Sequence, residues 1–527
     1  MAIRILISDP MAEEGVKILK REKAFSVDVK PKLPPEKLKD VIKDYDAILI
    51  RSGTKLTKDL IETSNLKIIG RAGVGLDNID LDAATKKGVL VVNAPAGNTI
   101  STAEHTMSLI MALSRNIPQA NKNLKEGNWD RKKFMGVELY GKTLGIVGLG
   151  RIGAEVAGRA SSFKMNVVAY DPYLPTDVAK KIKVELMDMA ELLKVSDYIT
   201  VHTPITDKTE HMLGEKEFEM MKDGVRVINA ARGGIIDEKA LLKALKSEKV
   251  AGAALDVFEK EPPADNPLLK LDNVIVTPHL GASTEEAQVN VAIDIAETLR
   301  DALLDKGVKN AVNMPSLGPE ELKTVQPYIN LAEKIGLMHA QLITGHVKQV
   351  DIRYIGDIAD FKVEPITAAL MKGMLMPILQ ETVNYVNAPL IAKDRGMKVV
   401  ESKAGEIEDF ASLIWVRVKS DKASNAIAGT IFIKSDPRIV KINDFYVEAT
   451  PEGCMLVILN KDVPGIIGQI GTILGENNIN IARMSFGRDE PGKNAISVLN
   501  VDCEVPKEIL DEIRSSKNIF DVNMIRL

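Results

Sequence analysis

The chain has 527 residues, of which 45% are hydrophobic and 27% charged, and its net charge is −4. It is too long for one hydrophobic core and reads as roughly three or four domains, while its near-neutral charge argues against a nucleic-acid or membrane-surface partner. No apolar run reaches the length of a bilayer span, Asp9 and Pro10 arrive too early for a signal peptide, and Cys454 and Cys503 make neither a disulfide framework nor a zinc site. The expectation is a cytoplasmic protein without a metal.

Residues 1–97 alternate strand and helix patterns, with strands at 3–8, 47–50, 67–70 and 90–92 and a helix near 11–21. That rhythm predicts a parallel sheet with crossover helices. Arg51-Ser52-Gly53-Thr54 and Arg71-Ala72-Gly73-Val74-Gly75 each set an arginine beside glycines at a strand's carboxyl end, where open α/β sheets bind ligands. Glycines there let backbone N–H groups reach an anion; two solvated arginines are the alternative. Residues 98–115 read as one helix capped by Ser or Thr, and His105 within it reads as a packing residue rather than a catalyst.

The stretch from Gly141 is the most informative. A short strand, 143–147, runs into Gly148-Leu-Gly150-Arg151-Ile152-Gly153, which opens a helix over 151–162, and the next strand, 166–170, ends at Asp171. This is a dinucleotide fingerprint in its structural setting. Gly148 permits the tight turn, Gly150 lets a pyrophosphate approach the backbone, and Gly153 lets helix and strand pack closely. The helix N-terminus favours the phosphates. A carboxylate at Asp171 accepts hydrogen bonds from a ribose diol and repels a 2′-phosphate, so the cofactor is expected to be NAD rather than NADP.

Strands continue at 198–201, 225–229, 252–255 and 274–277, ending in His202-Thr203-Pro204, Ala230-Ala231-Arg232-Gly233-Gly234, Asp256-Val257-Phe258-Glu259-Lys260-Glu261 and Pro278-His279-Leu280-Gly281-Ala282. Hydride transfer from an alcohol needs a base for the hydroxyl proton and a cation for the neighbouring carboxylate and the forming carbonyl. His279 suits the first task, Glu261 is the candidate acid to hold its other nitrogen, and Arg232 suits the second task through a bidentate grip. Taken singly, each has an ordinary structural reading; together, at the cofactor edge of one sheet, they point to catalysis.

Arg71-Ala-Gly-Val-Gly-Leu-Asp-Asn, Asn98-Thr-Ile-Ser-Thr-Ala-Glu-His, Gly148-Leu-Gly-Arg-Ile-Gly, Asn229-Ala-Ala-Arg-Gly-Gly, Ala254-Leu-Asp-Val-Phe-Glu-Lys-Glu-Pro-Pro and Pro278-His-Leu-Gly-Ala-Ser resemble the D-2-hydroxyacid dehydrogenases over about the first 315 residues. The resemblance implies Arg232, Glu261 and His279 as the catalytic set. It implies NAD contacts at Val74, Arg151, Ile152, Asp171, Thr203, Ala230, Asp256, His279, Leu280, Gly281 and Ala282. It also implies that Arg51, Ser52, Arg71, Asn98 and Arg131 hold the substrate's phosphate and carboxylate. The branch it resembles oxidises 3-phospho-D-glycerate to 3-phosphohydroxypyruvate at the head of serine synthesis. Another hydroxyacid dehydrogenase, such as a glyoxylate or hydroxypyruvate reductase, and an NAD-sensing corepressor on the same fold are the alternatives.

The amphipathic stretch 284–306 suits a return crossing, and Met314-Pro-Ser-Leu-Gly-Pro319 reads as a linker. Residues 320–449 turn from helical to strand-like patterns without an enzymatic motif and resemble the intervening domain of long-form relatives, an effector or anion site. Lys393, Arg395 and Lys419 there read as a solvated face. From 455 the order strand, helix, strand, strand, helix, strand predicts a ferredoxin-like unit that resembles an ACT domain. That resemblance implies an amino-acid effector, L-serine, at Asn460, Asp462 and Asn480. The expected architecture is therefore α/β, with two Rossmann-like lobes. An NAD domain (98–283) is inserted in a flavodoxin-like substrate lobe (1–97 and 284–314). An α+β intervening domain (318–449) and an ACT domain (453–527) follow. Paired ACT sheets and a nucleotide-domain interface imply a homotetramer.

Overall fold

The computed structural model describes residues 2–379, 382–405, 410–433 and 435–527. Its strands form four sheets and its residues two compact units, Met1–Pro10 with Ile18–Asn93 and Ile295–Leu527, and Met11–Lys17 with Ala94–Asp294. The fold class is the expected one. No helix among the described residues is long and apolar enough to cross a membrane.

In the first unit, β1 (Ile3–Ile7), β2 (Phe25–Val29), β3 (Ala47–Ile50), β4 (Ile68–Arg71) and β5 (Leu90–Asn93) form a parallel sheet in the order β2-β1-β3-β4-β5. Ala47-Ile-Leu-Ile is buried throughout, as a central strand covered on both faces must be. The sequence reading missed β2, although Phe-Ser-Val-Asp-Val carries the period-2 alternation of an edge strand. After the helix Glu285–Leu303 the chain returns along β5: Val312 donates to the Val91 carbonyl (2.8 Å), and the Asn313 side chain accepts from Val91 N (2.9 Å) and donates to the Val89 carbonyl (2.8 Å).

The second unit holds β6 (Thr143–Val147), β7 (Asn166–Tyr170), β8 (Glu185–Leu186), β9 (Tyr198–Val201), β10 (Val225–Asn229), β11 (Val250–Leu255) and β12 (Val274–Val276), all parallel, in the order β12-β11-β10-β9-β6-β7-β8. Successive side chains enter opposite faces. Ile146, Ile228 and Ala254 join one core with Ala103 and Ile110 of the helix Thr99–Arg115, while Val147, Val227 and Leu255 join a second with Leu192 and Leu241. Strand order reverses at β6 and β9, the switch point where a doubly wound sheet opens its ligand crevice. The helix starts at Thr99 rather than Asn98, and Asn98, not a serine or threonine, occupies its N-cap without a side-chain cap bond.

Returning to the first unit, β13 (Val347–Gly356), β14 (Lys398–Ala404), β15 (Ser412–Ser420), β16 (Ser424–Phe432), β17 (Asp436–Ile442) and β18 (Phe445–Ala449) form a sheet in the order β14-β13-β15-β16-β17-β18, antiparallel except for β13 with β14. The helices Pro319–Leu342 and Glu364–Leu375 cover it. Next, β19 (Cys454–Lys461), β20 (Ile481–Arg488), β21 (Asn494–Val501) and β22 (Ile519–Arg526) form an antiparallel sheet in the order β20-β21-β19-β22.

Alternate residues of β19 face two cores. Leu456 and Ile458 pack on Ile466 and Ile470 of the helix Ile466–Glu476. Met455 and Val457 instead join Ile335, Val416 and Val447 in one core shared by the two C-terminal sheets. Gly487 is where β18 crosses: a side-chain carbon there would strike the Tyr446 carbonyl. Gln341 closes the seam by accepting from Arg526 N (2.9 Å) and donating to Arg526 O (3.0 Å).

His339 is fully buried in that shared core, and burial pulls its pKa down to about 3, with the Val416 backbone opposing. The unfolded imidazole takes up a proton near pH 6.5 while the folded one stays neutral, so stability falls as pH drops from about 6.5 toward 3. Unfolding free energies from urea titrations at pH 7.5 and 5.0 should differ less in His339→Met than in the parent, by up to about 1.4 kcal/mol per pH unit; an identical pH dependence in both proteins would contradict this account.

Candidate active site

The turn after β6 is built as its glycines require. Gly148 has φ +93°, and a side chain there would press on the His202 carbonyl and Thr203. A side-chain carbon at Gly153 would collide with the Gly148 carbonyl, so the helix approaches the turn this closely only because residue 153 is glycine. Gly150 precedes the helix Arg151–Ser162, and among the described residues nothing lies within 4 Å of where its side chain would be. The helix N–H groups of Arg151 and Ile152 therefore have room for an anion. Asp171 ties this turn to β7: one carboxylate oxygen accepts from Leu149 N and the other from Tyr173 N, both at 2.9 Å. Each oxygen keeps a lone pair for a ribose hydroxyl.

The next strand end fits the same occupant. His202 Nε2 lies 3.1 Å from Thr200 Oγ1, and burial pushes the His202 pKa down to about 4. Its Nδ1 and the Thr203 hydroxyl are buried without a hydrogen-bond partner among the described residues. Buried polar atoms left in this state mark a place where a polar ligand completes the set. With the open glycine and the acid of β7, they match a dinucleotide.

At the end of β10, Asn229 clamps the turn by accepting from Ala231 N (3.0 Å) and donating to the Arg232 carbonyl (2.8 Å). Arg232 is half-buried and donates to the Ala231 carbonyl (2.6 Å). His279 stands in the left-handed region, φ +55°, with its Nδ1 2.8 Å from Glu261 Oε2. The other Glu261 oxygen accepts from Phe258 N (3.2 Å). The pair borders an apolar pocket of about 460 Å³ walled by Phe258, Leu269, Val276 and Pro278. Nδ1 is thus occupied by the carboxylate, and Nε2 is the nitrogen left for chemistry.

What holds His279 in that conformation is Asp256, fully buried at the end of β11. Oδ1 accepts from Thr277 Oγ1 (2.6 Å) and Leu280 N (2.7 Å), and Oδ2 from Gly281 N (2.9 Å). The Asp256 carbonyl accepts from His279 N (2.9 Å). His105 Nε2 sits 3.2 Å from Oδ1. Burial works to raise the Asp256 pKa, but the bonds from His105, Thr277 and Leu280 win and hold it below the usual carboxylate range. Sequence reasoning took His105 for packing alone; its bond to this carboxylate spans most of the unit and has no local signal. Ser101 and Thr102 were also missed: both hydroxyls donate to the Gly281 carbonyl, at 2.7 and 3.1 Å. Gln288 donates to the Ala282 carbonyl (2.7 Å).

The remaining candidates are distributed differently. Arg51 and Arg71 stand at the carboxyl ends of β3 and β4; Arg51 donates from its backbone to Asp9 (2.6 Å) and from its guanidinium to the Pro10 carbonyl (3.1 Å), and Ser52 is exposed. The Val74 carbonyl accepts from Asn93 (2.9 Å). In the second unit, Asn98 Oδ1 is buried without a partner among the described residues, Ala230 is buried, and Arg131 lies on an exposed turn, Arg131–Phe134. At the end of β19, Asn460 is buried and internally bonded, accepting from Ser497 Oγ (2.9 Å) and donating to the Lys461 carbonyl (3.0 Å). Asp462 accepts from Gly492 N (3.2 Å), and Asn480 donates to Asp502 (2.8 Å).

The fold and this constellation are those of a nicotinamide-dependent dehydrogenase. Residues 107–281 match the D-isomer specific 2-hydroxyacid dehydrogenase NAD-binding domain, 324–443 the D-3-phosphoglycerate dehydrogenase intervening domain and 455–518 the ACT domain. A D-3-phosphoglycerate dehydrogenase of Methanocaldococcus jannaschii is 49% identical over 100% of both chains, and one of Bacillus subtilis 46% identical over 99% of both. Among solved structures, a D-lactate dehydrogenase from Aquifex aeolicus complexed with NAD and lactic acid is 32% identical with a TM-score of 0.53, covering 59% of this chain and 100% of its own. The chain belongs to the D-3-phosphoglycerate dehydrogenases of the D-2-hydroxyacid dehydrogenase family.

Replacing Asp256 with Asn turns one acceptor oxygen into a donor facing backbone N–H groups. The loop should loosen by about 1–3 kcal/mol, so amide hydrogen exchange at Leu280 and Gly281 should quicken about 10- to 100-fold; unchanged exchange in Asp256→Asn would remove the carboxylate as the loop's anchor.

Proposed function

We propose that the chain oxidises 3-phospho-D-glycerate to 3-phosphohydroxypyruvate with NAD, the step that commits carbon to serine. The observation that carries this reading is the His279–Glu261 pair, at 2.8 Å, on the edge of a sheet whose family binds NAD. Bound NAD supplies the acceptor for the hydride leaving the substrate's carbinol carbon. His279 Nε2 takes the hydroxyl proton, and Glu261 holds Nδ1–H and steadies the imidazolium. Arg232 grips the carboxylate and polarises the forming carbonyl. Asp171 receives the ribose diol, and Gly148, Gly150, Arg151, Ile152 and Gly153 form the pyrophosphate turn. Thr203, Ala230, Asp256, Leu280, Gly281, Ala282 and Val74 complete the cofactor contacts. Arg51, Ser52, Arg71, Asn98 and Arg131 provide the positive and hydrogen-bonding charge that a phosphorylated acid demands.

The sheets and cores support reading 1–97 with 284–314 as the substrate lobe, 98–283 as the NAD domain, 318–449 as the intervening domain and 453–527 as the regulatory domain. We assign L-serine to the last, its ammonium on Asp462 and its polar ends on Asn480 and Asn460. Asn460 already accepts from Ser497 and donates to the Lys461 carbonyl, which leaves one lone pair and one N–H for the effector. A cytoplasmic homotetramer is the matching assembly.

His279→Ala should lower kcat about 10²- to 10⁴-fold while NADH affinity, read by fluorescence titration, stays within about twofold of the parent; unimpaired turnover would remove His279 as the base. In the parent, NADH formation from 3-phosphoglycerate should fall as L-serine is added, and Asp462→Asn should need about tenfold more serine, the loss of one charge-assisted bond. Parent activity that ignores serine would reduce the regulatory domain to a structural part.

A further inference from the structure

A cavity of about 320 Å³ in the first unit has no part in the chemistry above. Val308, Met314 and Pro315 of the segment returning along β5 form one wall; Leu322 and Ile329 of the helix Pro319–Leu342 and Ala368 of the helix Glu364–Leu375 form the others. Asp305, Gln326 and Tyr385 stand among the lining residues as its polar groups. The Tyr385 ring is fixed: its hydroxyl donates to one Glu333 oxygen (2.7 Å), and Lys372, paired with the other (2.7 Å), lies 4.3 Å above the ring.

The chemistry of the lining selects a ligand. Asp305 is exposed and, among the described residues, its carboxylate is in no ion pair or side-chain hydrogen bond. Among the described residues, no lysine, arginine or histidine lines the cavity. A phosphate or carboxylate would meet like charge and no counter-ion, so the cavity does not suit the substrate or its product. An apolar body fills the walls, and a cation at one end meets Asp305. The volume falls in the range of small-molecule pockets. We infer that this cavity is a binding site for a small apolar amine, its ammonium on Asp305 and its body between the returning segment and the two helices.

Its place gives the ligand leverage. One wall is the segment that Asn313 pins to β5. The other includes Tyr385, next to Asn384, whose side chain donates to the Gly88 carbonyl (2.7 Å) at the end of the helix Leu81–Lys87. An occupant therefore meets Met314 and Tyr385, the immediate chain neighbours of Asn313 and Asn384, which make polar links to the substrate-lobe part of the unit.

Isothermal titration calorimetry of the full chain in saturating NADH, with tryptamine and with indole-3-acetate, tests the inference. Tryptamine should bind one per chain, and indole-3-acetate, the same ring with opposite charge, at least about tenfold more weakly, the value of one charge contact. Asp305→Asn should weaken tryptamine at least about fivefold, and Gln326→Trp, which plugs the cavity from the helix surface, should abolish its binding while NADH formation continues. Absence of tryptamine binding, equal affinity for the two probes, or equal affinity in parent and Asp305→Asn would each overturn the assignment. The last comparison decides the matter even if Gln326→Trp fails to fold.

Discussion

The site depends on one buried negative charge. Asp256 has no contact with water, yet it remains a carboxylate because four donors converge on it from three parts of the chain: the helix Thr99–Arg115 through His105, β12's end through Thr277, and the loop beyond through Leu280 and Gly281. An unpaired charge in that position would cost several kcal/mol. The charge is affordable only while the loop keeps its shape, so the left-handed backbone at His279 is held by the same bonds that keep Asp256 ionised. Positioning of His279 and satisfaction of the buried acid are one requirement, and neither can be relaxed alone.

Much of this was legible from residue order, and the reason is locality. The demands on Gly148, Gly150 and Gly153 arise within a single strand-turn-helix, and the buried strands announce themselves as short apolar runs that end where Arg232, Glu261 and His279 follow. What escaped was long-range or compensated. The contact of His105 with Asp256 joins residues far apart in the chain, and nothing near His105 distinguishes it from any half-buried helical histidine. The hydroxyls of Ser101 and Thr102 look like capping residues until the Gly281 carbonyl is placed above them. Asn460 looks like a ligand-binding amide until Ser497, on the neighbouring strand, is seen to use it. β2 is legible as well, since Phe25–Val29 carries its alternation.

The two ends of the chain solve the problem of burying sheets differently. In the dinucleotide domain, β6, β10 and β11 send alternate residues into two separate cores, each roofed by helices, so the crevice at the switch point rests on a frame supported from both sides. In the C-terminal region, β19 sends alternate residues into a helical core of its own and into one it shares with the preceding sheet. The first arrangement leaves strand ends clear for ligands; the second buries the middle of the last sheet on both faces.

That second arrangement bears on how such a chain can be cut and joined. The ferredoxin-like tail looks in sequence like a bead on a string, the kind of unit that recombination moves from one protein to another. Here Gly487 admits the Tyr446 backbone where any other residue would hold it off, and Met455 and Val457 lie among the side chains of the region before them. Excising the tail would strip the cover from Val447, Ile335 and their neighbours and leave a greasy scar rather than a clean terminus. The two regions therefore hold one core in common, and the tail alone is not a self-contained bead.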